Sequence, residues 1–530
     1  MRTASEPKDD MNIPFASMVS SRVGLFHGTL LLVLGGCGSS DSEPAANAAD
    51  ASSDAVAAPD VVLDAGFDAT SDGEGGEGGE GGASACVPPC HAWARLLAGP
   101  SEEDEIDAVA SDADGNVYVS GKFESELTIE GHDTKLVSAG RADIMLAKYS
   151  RDGDLLWVRH YGGVSEDNVF DAVCDGQGNV ILSGYFGATV DFGGIVLETT
   201  GVDDLDMMVV KVDPAGEVIW AVRAGGDDVD GGNEINIAPD GTLVLLAGSG
   251  GGFRAGSLEF SATGARDAFV LTMDPETGDF LWGGHVAGAG NARGKCLTVD
   301  AAGNVYAGGD YEGENSVFGP NRTDVLPTSQ KLDAFLTSWT ADGQLRWTKT
   351  WGGPGLDLCK GAVATEQGDL YFVGYFGPPT SFDGEVLEGD GSDIFLWKLN
   401  DQGEAIWLNH ISSSKNLTGA EATSSPSGGV LFGHKMSADV KFGSTDGKDV
   451  VVKLPKAGTS WPVFVGYSSD GVVDFTLLPK QSVDANLDEL SRSGKRVYID
   501  VPIFEGTYEF GGDIRASTGT KDALLVAIDL

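Results

Sequence analysis

The sequence predicts an all-β fold of repeated antiparallel sheets, and three observations carry that expectation. First, one unit recurs about every 60 residues: Asp, a short apolar strand, a Gly turn, an apolar residue and Trp. Second, Val-, Leu-, Ile- and Tyr-rich runs bounded by Gly, Asn and Asp fill the rest of each unit. No stretch there keeps a 3.6-residue apolar period long enough for a helix. Third, the two ends of the repeat region carry complementary halves of one unit. A fixed period means stacked supersecondary units that share buried faces. Complementary halves let such a stack close on itself and leave no unpaired sheet edge. The fold class expected is therefore a seven-bladed β-propeller of four-stranded antiparallel blades, closed by an N-terminal strand that joins the C-terminal blade.

The copies are DIMLAKYSRDGDLLW from Asp143 to Trp157, DMMVVKVDPAGEVIW from Asp206 to Trp220 and DAFVLTMDPETGDFLW from Asp267 to Trp282. DAFLTSWTADGQLRW follows from Asp333 to Trp347, and DIFLWKLNDQGEAIW from Asp393 to Trp407. DVVVKLPKAGTSW, from Asp449 to Trp461, reads as the sixth copy, and DALLVAIDL, from Asp522, as a seventh without its Trp. WARLLAG, from Trp93, aligns with WVRHYGG, from Trp157, and supplies the missing final strand. On this reading the sixth unit is short and the seventh long, with the excess in a polar loop at residues 477–496. Irregular insertions on a repeat scaffold often carry binding; a plain solvated loop is the alternative.

Within a unit, EIDAVASD gives a first strand, GNVYVSGKF a second, DIMLAKYS a third and DLLWVRH a fourth. Glycine in the DADGN and DAAGN stretches suits tight turns, because it takes positive φ at little cost. Between second and third strands an apolar–Gly turn recurs, and Phe192, Phe318, Phe382, Phe442 and Phe510 on it are expected to pack between blades. The repeated Trp, on the outer strand, is expected to cover the neighbouring sheet. A repeated carboxylate at a strand start can accept local backbone N–H bonds, which accounts for Asp143, Asp206, Asp267, Asp333, Asp393, Asp449 and Asp522 without a ligand.

Ahead of the repeats the chain changes character. Arg22, a short apolar run and Cys37 precede a stretch without Lys or Arg. The apolar core is too short to span a bilayer and reads as a signal-peptide h-region. LGGC resembles the bacterial lipobox, in which signal peptidase cuts before a Cys that becomes lipidated. The resemblance implies a lipoprotein signal peptide over residues 1–36 and lipidation at Cys37. Met18 is a more typical start than Met1. Gly38 and Ser39 follow the Cys, and by the same resemblance this favours the outer membrane over inner-membrane retention. Residues 37–85 form an acidic, Gly/Ala/Ser-rich tether with nothing to bury, which should stay disordered. CVPPC at 86–90 is the junction: Cys86 and Cys90 could form a small disulfide loop in an oxidising compartment, or a metal pair. The repeat domain covers residues 91–530. Cys174, Cys296 and Cys359 fall near first strands and suit a crowded core.

The formal net charge is −47 with 34 Lys plus Arg. That excludes a nucleic-acid polyanion as partner, since phosphate binding needs a basic footprint, and argues against lying flat on anionic lipid. No compact metal spacing, nucleophile elbow or phosphate loop occurs. SDADGN only partly resembles a calcium loop. His160, His285 and His410 each stand three residues after a Trp, with Arg223 and Thr350 at the same place, and symmetry gives them a structural role. No catalytic, cofactor-binding or metal residue is assigned.

The cycle GNVYVSG, FG-G, D-x-F-x-x-K, G-x-x-x-W and Gly-Gly resembles the β-propeller repeats of bacterial cell-surface proteins over residues 91–530. The resemblance implies an extracytoplasmic scaffold and supplies no catalytic residues. MDPETGDFLW, from Met273, is also similar to the repeats of quinone-dependent dehydrogenase propellers and their assembly-scaffold relatives, but those run at roughly 40 residues. The function expected is a membrane-anchored, noncatalytic protein- or glycan-binding scaffold, monomeric in its folded domain and held through lipid on Cys37. The alternatives are a polysaccharide hydrolase or lyase with its site at the propeller mouth, and a structural or assembly component of the cell envelope.

Overall fold

A computed structural model describes residues 90–530 apart from 102–103, 202–203, 262–263, 288–289, 314–316, 319–323, 330, 390, 426, 457–459, 479–489, 505–506, 511–512 and 517–520. The expectations for the signal peptide, Cys37, the tether and Cys86 lie outside the described residues. So do the side chains of Cys90, Phe318 and Phe510, and most of the 477–496 loop.

The described residues form β-strands and turns, with no helix among them. The strands run as consecutive four-stranded antiparallel meanders. The first is Ala108–Ser111, Val117–Ile129, Leu136–Tyr149 and Leu155–Tyr161. The second is Asn168–Cys174, Val180–Gly187, Leu205–Val212 and Val218–Gly225. The third is Asp230–Ile237, Leu243–Ser249, Asp267–Met273 and Phe280–Ala287. The fourth is Ala292–Val299, Val305–Tyr311, Asp333–Trp339 and Leu345–Trp351. The fifth is Leu358–Ala364, Leu370–Phe376, Asp393–Leu399 and Ala405–Ser413. The sixth is Thr418–Ser424, Val430–Met436, Trp461–Tyr467 and Val473–Leu477. Leu490–Ser493, Arg496–Phe504 and Lys521–Asp529 come last, and their fourth partner is the N-terminal strand Cys90–Ala98, antiparallel to Lys521–Asp529.

The sixth copy of the repeat is corrected by this pairing. Asp449 does not start a third strand. Val450–Val452 pairs only with Val440–Phe442, a small hairpin joined to the outer strand of the fifth meander through Ile411 and Phe442. The third strand of the sixth meander begins at Trp461, paired with Met436 as Asp393 is paired with Phe376. Trp461 thus occupies the place of the repeated Asp, and Phe475 takes the outer-strand place that Trp407 has in the fifth meander. Strand identity follows the pairing partner, and DVVVK matched the motif by composition alone. With Trp461 as the start of the unit, the long seventh spacing disappears.

The first strand of each meander lies against the first strand of the next, and Leu490–Ser493 of the last lies against Ala108–Ser111 of the first. The apolar core sits between successive sheets. Ala108, Tyr118, Ile144 and Leu146 of the first meander share a cluster with Leu182, Phe186, Met208 and Val210 of the second. Ala94, Leu524 and Val526 share one with Leu431 and Phe464. Two faces that each bury alternate side chains produce such a layer between stacked sheets. Phe192 joins Tyr161, and Phe382 joins Trp351, across these seams.

The repeated Trp binds the following meander at a fixed point. Its indole donates to a carbonyl in the turn between third and fourth strands. Trp157 donates to Pro214 at 3.0 Å, Trp220 to Pro275 at 3.2 Å and Trp282 to Ala341 at 2.9 Å. Trp347 donates to Asp401 at 3.0 Å, and Trp407 to Ser469 at 3.2 Å. The turn glycine makes this approach feasible. Gly343 has φ +83°, and a Cβ there would stand 2.8 Å from the Trp282 ring.

Candidate functional site

Two polar sets stand out from the repeat: one at the rim, which recurs, and one at the cycle of first strands, which does not. The rim set joins residues that look separate in the sequence. His160 Nε2 lies 2.5 Å from Asp143, His285 Nε2 3.0 Å from Asp267 and His410 Nε2 2.8 Å from Asp393. Arg223 Nε lies 2.6 Å from Asp206. Antiparallel pairing creates the contact. The His or Arg stands opposite the second residue after the Asp, as His285 stands opposite Phe269, and Thr350 holds the same register opposite Phe335. Asp522 instead accepts the Gly99 N–H at 3.3 Å. Asp449, away from this register, pairs with Lys441 at 2.7 Å.

The trailing Gly-Gly belongs to this set. A Cβ on Gly162, Gly225 or Gly352 would overlap the carboxylate of Asp143, Asp206 or Asp333 respectively. A second carboxylate, four residues after the second position of that pair, fastens the same corner. Asp167 accepts the N–H groups of Gly163 and Gly187 at 2.9 and 3.1 Å, and Asp230 accepts that of Gly226 at 2.6 Å. Asp357 accepts that of Gly353 at 3.1 Å, and Asp104 that of Glu124 at 2.8 Å. Burial pushes these acids up: Asp104 and Asp357 to about 6, Asp167 to about 7 and Asp230 to about 8. Their signal in the sequence is the spacing in GGVSED, GGDDVD and GGPGLD.

The DADGN-type turns are closed by their own side chains. Asp112 Oδ1 accepts the Asp114 and Asn116 N–H groups, and Oδ2 accepts from the Asn116 amide at 2.8 Å. Asp175 and Asp300 repeat the arrangement. The carboxylate oxygens that a cation would take are already engaged. No group of three or more His, Cys, Asp or Glu that could hold a metal ion occurs among the described residues. Cys296 and Cys359 are buried and Cys174 is half-buried, all as free thiols.

A crevice of about 350 Å³ opens beside the fifth meander's rim pair, lined by Asp393, His410, Ser413, Asp439 and Lys441 among others. Its charges are largely satisfied: Asp439 holds Lys453 at 2.8 Å and the Leu454 N–H at 2.9 Å.

The second set stands on the first strands, where symmetry is broken. Asp171, Glu234, Lys295, Lys360 and Glu421 come from five consecutive meanders. Each of these first strands is irregular beside its charge: pairing skips one residue between Val169 and Asp171, Gly232 and Glu234, Gly294 and Cys296, and Cys359 and Gly361, and two between Thr418 and Glu421. Bulges re-aim side chains out of the pleat. All five side chains are partly accessible. They nevertheless act on one another across the cycle. Burial pushes Asp171 up to about 7, with Glu421 four meanders away adding to the effect. Burial, then Asp171 and Glu421, hold Glu234 well above the usual carboxylate range. Burial and the neighbouring Lys360 bring Lys295 down to about 8. Lys360 forms an ion pair with Glu421, and Asp171 accepts the Ile235 N–H at 2.7 Å. Sequence reasoning missed this set because the five residues share no common type. Its signal is a charge inside an otherwise small or apolar first strand, visible only when NVFDAVC, DGGNEINI, ARGKCLTV and LCKGAVA are aligned with one another.

No protein-family profile matches the chain. An uncharacterized WD repeat-containing protein of Acanthamoeba polyphaga mimivirus is 23% identical over 156 residues, which are 27% of this chain and 11% of that protein. Among solved structures, a chain of the mitotic checkpoint complex is similar at 10% identity, covering 87% of this chain and 98% of its own, with a TM-score of 0.41. The Dos1 propeller is similar at 8% identity, covering 79% and 92%, with a TM-score of 0.37. The relation of this chain to repeat proteins therefore rests on its own strand pairing.

Proposed function

We propose that this chain is a lipid-anchored, extracytoplasmic scaffold whose folded part is a seven-bladed β-propeller, closed by Cys90–Ala98, that binds a protein or glycan without transforming it. The observation that carries the reading is the cyclic contact of first strands, from Ala108–Ser111 round to Leu490–Ser493 and back. It is supported by the pairing of Cys90–Ala98 with Lys521–Asp529. The repeated Trp, Asp and Gly are spent on joining neighbours, which makes a rigid platform and leaves only the non-repeating residues for recognition. The lipobox resemblance and acidic spacer supply the anchor, with the outer membrane as its place.

The test is a screen of the full-length protein in detergent against envelope proteins and glycans, with polysaccharide turnover measured in parallel. Saturable binding without turnover supports the reading. The hydrolase or lyase reading is favoured by one observation, the elevated carboxyls of Asp171 and Glu234 on adjacent first strands. Turnover abolished by changing either residue would establish it in place of the scaffold.

A further inference from the structure

The residues on either side of the pairing skip in a first strand face opposite neighbours. The residue after it reaches the following meander, as Asp171 does in accepting the Ile235 N–H at 2.7 Å. The residue before it lies against the preceding meander. A Cβ on Gly232 would stand 2.1 Å from Ser183 Oγ, and one on Gly294 would stand 2.3 Å from Leu246. Cys296 follows the skip in the fourth meander, and Cys359 precedes it in the fifth. The two side chains are thereby aimed at each other across one seam.

They meet over Gly308, on the second strand of the fourth meander. A Cβ there would stand 2.8 Å from Cys296 Sγ and 3.2 Å from Cys359 Cβ, so the glycine leaves room for both. Cys296 is 1% exposed and Cys359 0%, and both belong to one apolar cluster. The strands that carry them touch directly, since the Ala364 N–H donates to Thr298 Oγ1 at 3.0 Å. Burial, and then contact with Cys359, holds the Cys296 thiol well above the ordinary thiol range.

We infer that Cys296 and Cys359 become joined by a disulfide when the chain folds in an oxidising compartment, tying the first strand of the fourth meander to that of the fifth. One thiolate attacks a disulfide donor of the glutathione type and releases one donor thiol. The second thiolate then displaces the other donor thiol from the mixed disulfide. Two electrons pass to the donor, whose sulfurs take up the two protons that the cysteines lose. Both thiols are out of reach in the finished fold, so the exchange belongs to folding, before the seam closes. The bond constrains the unfolded chain and so stabilises the domain. The inference goes beyond the binding role proposed above, and rests on the extracytoplasmic reading only for where the oxidant is met.

The full-length protein in detergent is reduced, unfolded in urea, refolded with reduced and oxidised glutathione, alkylated, and mapped by mass spectrometry. A linked 296–359 peptide pair is expected, lighter by two hydrogens than the separate peptides, together with a higher melting temperature than in reductant. Cys296→Ala and Cys359→Ala should each abolish the link and that rise, and Cys174→Ala should keep both. Alkylated thiols at 296 and 359 in the refolded protein would overturn the inference. So would either cysteine linked to Cys86, Cys90 or Cys174 instead, or a 296–359 bond that leaves melting unchanged. A bond formed in glutathione but missing from protein alkylated at cell lysis would uphold the pairing and count against the oxidising compartment.

Discussion

The indole of Trp93 donates to the carbonyl of Arg151 at 2.9 Å. Trp93 lies on the N-terminal strand and Arg151 in the turn between third and fourth strands of the first meander. Trp157 makes the same contact to Pro214, and Trp282 to Ala341. The N-terminal strand thus treats the first meander as every other outer strand treats its successor. Trp93 also packs between Tyr149 and Tyr498, with ring centroids 6.2 and 5.9 Å away, and so joins the first and last meanders.

Trp93→Ala should therefore destabilise the domain by ~3–5 kcal/mol, the range for truncating a buried Trp. The half-exposed Trp157 should cost less on the same change. Equilibrium denaturation of both variants checks the order. A Trp93 variant as stable as the parent would mean that the N-terminal strand contributes nothing to the last sheet.

Gly162→Ala should destabilise by at least the ~1–3 kcal/mol of an overpacked core, because the new methyl would overlap the Asp143 carboxylate. Gly176→Ala has nothing within 4 Å of its new Cβ and serves as the control. Similar melting temperatures for the two variants would remove the steric reason given for the repeated Gly-Gly.

Stability should fall as pH rises from 5 to 9. Asp104, Asp167, Asp230 and Asp357 titrate in the folded state at about 6, 7, 8 and 6, against roughly 4 in an unfolded chain. Between those values the folded protein holds more protons than the unfolded one, so the stabilisation is present near pH 4 and is lost as pH passes through 6 to 8. Urea unfolding at intervals across this range reads the slope. Asp230→Asn should flatten its upper part, since Asp230 is the highest of the four. A slope of opposite sign would contradict the burial argument.

Cys37→Ala should move the protein from the membrane fraction to the soluble extracytoplasmic fraction. An unchanged membrane pool would exclude lipid on Cys37 as the anchor.

The sequence made the strands legible where motif and pairing coincide. GNVYVSGKF and DIMLAKYS fall on Val117–Ile129 and Leu136–Tyr149, because a repeated period and Gly-bounded apolar runs are local signals. The sixth meander misled because Asp449 and Trp461 mimic the unit while the pairing runs through WPVFVGY. The rim partnership of His410 with Asp393 was hidden by its dependence on strand register, although each residue was visible alone. The first-strand charges were hidden further, since Asp171, Glu234 and Lys295 share no residue type and stand beside strand irregularities that only the pairing reveals.

Closure of the cycle by the N-terminal strand is most directly measured with a paired-cysteine variant, Ala94→Cys with Val526→Cys. These residues face each other across the two terminal strands, and antiparallel partners lie within the Cα separation that a disulfide spans. Mild oxidation should give an intramolecular 94–526 bridge in a monomer, identified by peptide mapping and reversed by reductant. A 94–526 bridge found only between two chains, or none at all in folded protein, would contradict closure within one chain.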